Sequence, residues 1–570
     1  MLGGPLMAYF LKVSKQQSRT YLSIYESFYS PDVKGTKHRS VINLGNIDNL
    51  IASGIDDPIA YYKEEVKKMN AQRKQEKASQ KAEPLLIQES SPEKFLGYVP
   101  LSSVLNTLDV QEHFDHMQFT RRFHFNVFDV FSSLVFARAV FPASKYRTFH
   151  DILPSLLKSS PFSYDQLLAA LEFMGSEYEK FVEILTTATD ENYGIDTSNS
   201  FFDCTNFYFE IDKETDFKRK GPSKEYRKDP IIGLGLLLDA NMIPIGMKMY
   251  PGNESEKPVM RDIISSLKRK NNISGKTIQI ADKGLNCARN IIEAVRSGDG
   301  YIFSKSVKSL PEKEKKWVFN TADYQDVLDR NGDVVYSYKY CVDEFEYSYK
   351  DEDGRLYKKT VKEKRICTFN PKLQRKKLME INRMIEKAKK MRECQAKKEE
   401  YGESARYVKF TDENGKKAKV IMNEAAIEKD KQSAGYNMLV TSEYSLDATA
   451  IYQAYHQLWR IEETFRVMKS ELDARPVFMQ KEDTIKGHFL ICYAATLLER
   501  IFQFKVLDDA WSTTEICRFI KEFKVVKISE HKYINVTRSS PLITYLSHTF
   551  NLPFDNYYLT DKQIKMMHTR

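Results

Sequence analysis

Long apolar runs are missing from this sequence, which contains no stretch of about 18 apolar residues, the length needed to cross a membrane as a helix. The N-terminal segment lacks a basic stretch followed by a long apolar core, so we expect no signal peptide. A P-loop, a G-x-G-x-x-G motif and a Ser-His-Asp arrangement are also missing. We therefore expect a cytoplasmic protein with no membrane partner and no nucleotide cofactor.

Closely spaced cysteines are missing as well. The seven cysteines stand at positions 204, 287, 341, 367, 394, 492 and 517, and no two of them form a C-x-x-C pair. An odd, scattered set predicts neither a disulfide framework nor a zinc cluster, and it fits a reducing compartment.

Charge of one sign is only modestly in excess. The chain has 570 residues, of which 42% are hydrophobic and 29% are charged, as is typical of a globular protein. This length exceeds what one core supports, so we expect about three to four domains. The net charge of +9 suits a polyanionic partner without establishing one.

Shifts in sequence texture predict seven segments. Short alternating runs predict strands, and apolar residues at 3.6-residue spacing predict helices. From about 200 the order strand, strand, strand, helix, strand, helix, strand predicts an α/β core. The predicted segments are a small β-rich unit at 1–55, a charged helix and linker at 56–98, a helical region at 99–199, the core at 200–306, a β-rich insertion with a basic helix at 307–435, the rest of the core at 436–505, and a helical C-terminal region at 506–570.

The stretch "YHQLWRIEETFRVMK" (455–469) predicts a helix with two different faces. Tyr455, Glu462 and Lys469 are spaced seven residues apart and so form one stripe, with Trp459 and Arg466 on or close to it. A purely apolar stripe lies beside it and consists of Leu458, Ile461, Phe465, Met468 and Leu472. The first stripe presents a carboxylate among cations and rings, although a solvated face with a coincidental spacing explains it equally well.

Two further carboxylates occupy the predicted core. Asp203 lies within the strand "FFDCTNF", where burial is unfavourable unless the carboxylate is paired or holds a metal. Asp282 ends the strand in "TIQIADKG", at the sheet edge where ligand sites collect, although capping of the next turn would also explain it. With Glu462 these residues supply the oxygen ligands that Mg²⁺ prefers, as a two-metal phosphoryl-transfer site requires.

Four blocks of the sequence resemble DDE transposases of bacterial insertion sequences, in the branch whose catalytic helix carries Y-x2-R-x3-E-x6-K. The blocks are "FFDCTNFYFE", "GPSKEYRKDP…PIGMKMYPGN", "IADKGLN" and "YHQLWRIEETFRVMKSELDARPVF", within about 200–305 and 436–505. The resemblance implies an α/β fold with a ribonuclease H-like core, a mixed five-stranded sheet flanked by helices, which a β-rich insertion interrupts. The β-rich and α-helical N-terminal regions match only loosely, and the helical one is either a DNA-end reader or a scaffold.

The resemblance also assigns a catalytic and metal-binding set. It implies that Asp203, Asp282 and Glu462 hold two Mg²⁺ ions, for which Mn²⁺ can substitute. Glu463 lies about 100° further round the helix and ranks second to Glu462 as a ligand.

DNA-binding residues follow from the same resemblance. Tyr455 and Lys469 match the signature tyrosine and lysine. The signature arginine is replaced by Leu458, so a phosphate contact there would fall to Arg460 or Arg466, with Arg466 the better placed.

Two features of the core and insertion remain open between a DNA contact and a structural role. Trp317 is the one tryptophan of the insertion, and relatives use an aromatic residue there to accept a flipped base; a packed core residue is the alternative. The block 216–230 includes Lys224, Arg227 and Lys228, which would grip DNA phosphates or form a solvated loop.

The sequence therefore predicts a DNA transposase that cleaves the ends of an insertion sequence and joins them to target DNA. The resemblance implies double-stranded DNA as partner, a homodimer or higher assembly on it, and a place near the bacterial nucleoid. Two alternatives remain open, a ribonuclease H-fold nuclease without strand transfer and a non-catalytic DNA-binding protein derived from a transposase.

Overall fold

The computed structural model divides the chain into two compact units, Met1–Glu89 and Ser90–Arg570. It describes residues 6–16, 19–30, 35–82, 93–119, 121–222, 228–270, 275–389, 404–413, 416–475, 477, 479–529 and 531–568. Within these ranges no single helix is both long and apolar enough to cross a membrane, although one bent pair, Val127–Val140 with Lys145–Ser155, passes the same criteria of length and composition.

The first unit is a three-stranded antiparallel meander with two helices. Its elements are β1 (Leu6–Gln16), β2 (Arg19–Ser30), β3 (Gly35–Asn46), α1 (Ile47–Ala52) and α2 (Pro58–Ala82). Helix α2 packs on β1, where the Asn70 side chain exchanges two hydrogen bonds of 2.9 Å with the backbone of Tyr9. The predicted β-rich unit and the start of the charged helix therefore form one body.

A nine-stranded mixed sheet dominates the second unit. The strands of this unit are β4 (Glu93–Phe95), β5 (Asn199–Tyr208), β6 (Ile231–Leu238), β7 (Pro244–Pro251), β8 (Ile278–Ala281), β9 (Gly300–Lys305), β10 (Gln325–Leu328), β11 (Val334–Lys350), β12 (Leu356–Phe369), β13 (Val408–Glu413), β14 (Lys416–Met422), β15 (Tyr436–Thr441), β16 (Lys524–Ser529), β17 (Lys532–Asn535) and β18 (Tyr558–Thr560).

The order of strands in the large sheet is β10-β11-β12-β15-β9-β8-β5-β6-β7. Strands β5, β8 and β9 are mutually parallel, and every other neighbouring pair is antiparallel. Strand β6 is buried along its whole length, as its "IIGLGLLL" sequence predicts for a central strand covered on both faces. Strands β13 and β14 form a separate hairpin, and β4 joins the small sheet β18-β17-β16-β4.

Helices cover both faces of the large sheet. The helices of the second unit are α3 (Val99–Leu108), α4 (Gln111–Phe119), α5 (Val127–Val140), α6 (Lys145–Arg147), α7 (Tyr164–Ser176), α8 (Tyr178–Tyr193), α9 (Glu256–Lys270), α10 (Ala288–Arg296), α11 (Glu312–Phe319), α12 (Pro371–Lys389), α13 (Glu424–Gln432), α14 (Ala448–His456), α15 (Trp459–Arg466), α16 (Glu482–Ile501), α17 (Thr513–Glu522), α18 (Pro541–Phe550) and α19 (Asp561–His568).

Helix α16 is the centre of the largest hydrophobic core. Its residues from Gly487 to Ile501 are all buried, and α5, α7 and α8 of the predicted helical region pack against it. A Cβ atom on Gly175 of α7 would lie 1.7 Å from the Asp483 carbonyl oxygen, and one on Gly487 would lie 2.1 Å from that of Leu171. Helices α7 and α16 therefore approach so closely that only glycine fits at both positions.

The structure differs from the sequence-based expectations in two regions. The sheet has nine strands rather than five, because β10, β11, β12 and β15 continue it beyond β9. The region 506–570 contains the strands β16, β17 and β18 in addition to helices, whereas the sequence predicts only helices there. These strands span three to six residues each, too short for a clear alternation, and they are fixed by pairing with one another and with β4.

Candidate active site

Asp203 projects from the middle of the sheet towards the helix that carries Glu462. Side chains alternate along β5, so Asp203 shares a face with Phe201 and Phe207, and both phenylalanines belong to the core that includes α15. Asp203 Oδ1 accepts a hydrogen bond of 2.8 Å from the backbone N–H of Cys204. The side chain is half-buried.

Asp282 lies level with Asp203 at the end of the adjacent parallel strand. Phe202 pairs with Ala281 in the register of β5 and β8, so the next residues along are the two aspartates. Neighbouring strands lie about 4.8 Å apart, which places the two carboxylates side by side. The Asp282 side chain is exposed.

Two hydroxyl groups hold Asp282 in place. The Ser304 hydroxyl on β9 and the Tyr455 hydroxyl on α14 each donate to Asp282 Oδ1 over 3.0 Å. Burial, followed by the negative charge of Asp282 and more weakly of Glu462, raises the pKa of Tyr455. The phenol therefore stays protonated as a donor to Asp282.

The segment that carries Tyr455, Glu462 and Lys469 is not one regular helix. Helix α14 ends at His456, and a tight turn follows in which the N–H of Leu458 bonds to the carbonyl of Tyr455 over 3.1 Å. Helix α15 then continues as a π-helical turn, Val467–Glu471, which contains Lys469. The three residues therefore lie on an α-helix, on a second α-helix after a tight turn, and on a π-helical turn. Tight and wide turns change the rotation per residue, so the seven-residue spacing alone does not fix a common face.

The apolar stripe of this segment is confirmed. Leu458, Ile461, Phe465, Met468 and Leu472 are all buried in the main core. Leu458 therefore packs inward at the position of the signature arginine and offers no phosphate contact.

The Glu462 side chain is exposed and forms no hydrogen bond or ion pair with another residue that the structure describes. Glu463, one residue later, has the opposite environment. Its side chain is 10% exposed and lies 3.3 to 3.5 Å from the guanidinium groups of Arg460, Arg466 and Arg500. Three cations thus occupy the carboxylate of Glu463, so Glu462 is the better placed metal ligand of the two.

The predicted DNA-binding cations differ in their neighbours and in their exposure to solvent. The Lys469 ammonium lies 5.4 Å from the centre of the Phe207 ring, on the Asp203 face of β5. Arg460 pairs with Asp509 at 2.6 Å and stacks on the exposed ring of Trp459 at 4.1 Å. Arg466 is the more exposed of the two arginines, with 67% of its side chain accessible.

The predicted contacts in the basic loop and the insertion are placed as follows. Lys228 is exposed, whereas Lys224 and Arg227 lie outside the described residues. Trp317 on α11 is half-buried against the second core, and the Lys339 ammonium lies 4.9 Å from the centre of its ring. Its role towards a flipped base stays a prediction.

The chemistry of the donors suits a hard divalent cation. Asp203, Asp282 and Glu462 offer only carboxylate oxygens, and Glu462 is unpaired among the described residues. As the described side chains stand, however, no three His, Cys, Asp or Glu residues are close enough together to enclose an ion.

Sequence reasoning missed Ser304 and the arginine network around Glu463. Ser304 in "YIFSKSV" becomes visible only if β8 and β9 are known to pair in parallel, since that pairing sets Asp282 opposite Ser304. Arg500 had a local signal, because the pair Glu499–Arg500 interrupts an otherwise apolar helix and both side chains are buried. Buried charges of this kind need partners, and Glu463 is the partner of Arg500.

Comparison with known families supplies an independent observation. The family model described as "Transposase DDE domain" matches residues 207–498, just over half of the chain. The matched range includes Asp282, Tyr455 and Glu462 and begins four residues after Asp203. Comparison with curated proteins gives no match. The chain therefore belongs to the transposase DDE domain family.

Proposed function

We propose that the chain is an active DNA transposase that cleaves the ends of an insertion sequence and joins them to target DNA through Asp203, Asp282 and Glu462. Family membership indicates a transposase with DNA as its partner. The observation that carries the finer proposal is the Tyr455 hydroxyl, which donates to Asp282 and is coupled electrostatically to Glu462. This hydrogen bond, with the influence of the Glu462 charge on the same phenol, supports a position of the helix carboxylate near Asp282.

The core supports a ribonuclease H-like arrangement. Three consecutive antiparallel strands, β5, β6 and β7, are followed by β8 and β9, which add in parallel on the other side of β5. The resulting order β7-β6-β5-β8-β9, which forms one part of the nine-stranded sheet, supports a five-stranded core of this kind. Asp282 follows the carboxyl end of β8, where α/β folds bind ligands, and Asp203 lies level with it within β5.

The residues of the chain have separate tasks in this proposal. Asp203, Asp282 and Glu462 would hold two Mg²⁺ ions, which supply Lewis-acid stabilisation of the attacking and leaving oxygens of a phosphodiester when bound. Ser304 and Tyr455 fix the orientation of Asp282, and the buried apolar stripe fixes α15 against the sheet. Lys469 and Arg466 add positive charge where phosphates approach.

The same site serves cleavage and joining. Water attacks a phosphodiester at the element end in the first step, which releases a 3′-hydroxyl. That hydroxyl attacks a target phosphodiester in the second step, so each reaction breaks one P–O bond and forms another. Joining two ends to one target requires at least two copies of the site, which is why we propose a dimer or a higher assembly on DNA.

The test uses full-length protein, Mg²⁺ and a labelled duplex that carries the ends of the element encoding the chain. We expect cleaved ends that become joined to a second DNA, and we expect both products to vanish in EDTA and in the Glu462→Ala variant while DNA binding persists. Cleavage without joining would replace the transposase by the nuclease. Binding without any Mg²⁺-dependent product would leave only a DNA-binding protein.

A further inference from the structure

A cationic pocket lies beside the carboxylate site. It has a volume of about 310 Å³ and is formed by the loop after β8, the end of β9, the start of β15 and the helices α12 and α13. Five cations line it against two carboxylates, Glu380 and Asp430; the cations are Lys283, Lys305, Lys308, Lys377 and Arg406. The lining therefore has an excess of positive charge.

The two carboxylates do not neutralise this pocket. Asp430 lies 2.6 Å from the Lys308 ammonium and 3.1 Å from the Arg406 guanidinium, so it is shared between two cations. Glu380 pairs with Lys377 at 2.8 Å. Lys283 forms no ion pair with any residue in the described ranges.

Lys305 adds a partly buried charge to the same wall. Its nearest carboxylate oxygen, on Glu314, is 3.7 Å away, which is a long ion pair. Burial, together with the nearby Arg365 guanidinium, lowers the pKa of Lys305. An anion in the pocket would offset both effects.

Strand register ties the pocket to the carboxylates. Ala281 pairs with Phe303 in the parallel ladder of β8 and β9, so Asp282 lies level with Ser304 and Lys283 lies level with Lys305. The hydrogen bond between Ser304 and Asp282 confirms this register beyond the end of β8. The wall of the pocket thus begins at Lys283, one residue after Asp282, and at Lys305, one residue after Ser304. Because side chains alternate along a strand, Lys305 lies on the sheet face opposite to Ser304, and the pocket meets the carboxylate site at the strand ends.

We propose that this pocket binds a backbone phosphate of the DNA strand that passes over Asp282. The inference rests on the proposed function, because a strand held at the carboxylates must leave the site across one of its edges. Lysine ammonium groups bind phosphates as point charges, and the pocket brings four of them together with Arg406, beginning with Lys283, which directly follows Asp282 in the chain. The pocket therefore extends the DNA path from the catalytic sheet into the segment between β9 and β15.

The first experiment measures DNA binding without chemistry. The dissociation constant of full-length protein for a labelled duplex carrying one element end is determined in EDTA at several salt concentrations. In the Lys283→Gln/Lys377→Gln variant we expect binding about tenfold weaker at moderate salt, and a slope of log Kd against log salt reduced by about two.

The matched control changes the same number of charges elsewhere. Lys532 and Lys562 are exposed residues of the small sheet region, and Lys532→Gln/Lys562→Gln has the same net charge as the pocket variant. The control should keep the affinity and the salt slope of the parent protein. Thermal unfolding of both variants should match that of the parent, so that a folding defect is not mistaken for a binding defect.

Each outcome supports or overturns the pocket as a DNA site. Equal affinity and slope in the pocket variant and the parent would overturn it, even if the parent still cleaves and joins DNA. An equal loss in the control would also overturn it, since only general charge would then matter. Reduced affinity in the pocket variant beside a parent that never cleaves would uphold the pocket and reject the proposed catalysis.

A second arm separates backbone phosphate from a free anion. Pyrophosphate is titrated calorimetrically into the parent protein and the pocket variant. If pyrophosphate binds the parent alone and leaves its DNA affinity unchanged, the pocket serves a small anion and the proposal fails. If pyrophosphate competes with DNA in the parent but not in the pocket variant, the two ligands share this pocket and the proposal stands.

Discussion

Two neighbouring glutamates on helix α15 have opposite environments: Glu462 lies on its outer side and Glu463 on its inner side. The Glu462 side chain is exposed and unpaired among the described residues, whereas Glu463 is enclosed by Arg460, Arg466 and Arg500. The Glu463 carboxylate is matched by three guanidinium groups, as its burial requires. Glu462 has no such cation among the described residues, so its charge is available to a ligand. The difference separates a group that holds the helix from a group that is available for chemistry.

The largest expected effect is the loss of DNA cleavage when Glu462, on the outer side of α15, is changed. Glu462→Gln should lower the rate of Mg²⁺-dependent DNA cleavage by at least about a thousandfold, because an amide does not replace a carboxylate as a metal ligand. The unfolding free energy should change by less than about 0.5 kcal/mol, as for other exposed positions. Single-turnover cleavage assays and denaturant unfolding measure the two quantities.

The comparison breaks if that variant keeps its cleavage rate. In that case the outer carboxylate would be an ordinary solvated group, and the coupling of Tyr455 to Glu462 would carry no function.

A change of Glu463, on the inner side of α15, should instead lower the stability of the fold. Glu463→Gln removes the shared partner of three guanidinium groups, one of them on the buried Arg500, and should lower the unfolding free energy by about 3 kcal/mol. Under conditions where the variant is fully folded, its cleavage rate should fall far less than that of Glu462→Gln. Chemical denaturation followed by circular dichroism measures the loss, and a loss below about 0.5 kcal/mol would show that the network does not hold the helix.

A third test concerns the buried ammonium group of Lys145 and the pH dependence of stability. Lys145 is buried, and its ammonium lies 3.3 Å from Nδ1 of His488 on α16. Burial, with Arg138 nearby, lowers the pKa of Lys145 to about 7. Between that value and the usual lysine pKa near 10.4, the unfolded chain binds a proton that the folded chain does not bind. This group therefore makes the protein more stable as pH rises through that window.

Lys145→Met removes that contribution. We expect the unfolding free energy of the parent protein, relative to this variant, to rise by about 1.4 kcal/mol per pH unit between roughly pH 7.5 and 9.5. Denaturant titrations at several pH values measure the difference. A difference independent of pH would mean that Lys145 stays protonated and that its charge is matched within the core.

The smallest expected effect is on the cleavage rate when Tyr455, a hydrogen-bond donor to Asp282, is changed. Tyr455→Phe removes one of the two hydroxyl donors to Asp282 and leaves the Ser304 donor in place. One hydrogen bond contributes about 1 kcal/mol, so the cleavage rate should fall by about fivefold to tenfold. The matched change Tyr452→Phe, one turn earlier on α14, should leave the rate unchanged, and equal rates for all three proteins would remove Tyr455 from the site.

Local patterns predicted those parts of the site that depend on a single element. The apolar stripe of 458–472 became the buried face of α15, and the strand around Asp203 and the end of the strand before Asp282 stand as the alternation predicts. The sequence did not predict the roles of Ser304 and Arg500, because their partners are distant in the chain. The parallel pairing of β8 with β9 brings Ser304 to Asp282, and the packing of α16 brings Arg500 to Glu463. The break at Gln457 and Leu458 escaped for another reason, since a tight turn leaves the apolar spacing almost intact.

The continuation of the sheet from β9 through β15 to β12 and β11 has a mechanical consequence. These strands form one hydrogen-bonded ladder, and the outer part of the β11–β12 hairpin extends past the last residues of β12 that pair with β15. A load applied to that hairpin is transmitted through two backbone ladders to β9, which carries the Ser304 hydroxyl against Asp282. Bending of a stiff polymer gripped at the hairpin would thus change the tension at the carboxylate site, several strands away, without any hinge between them.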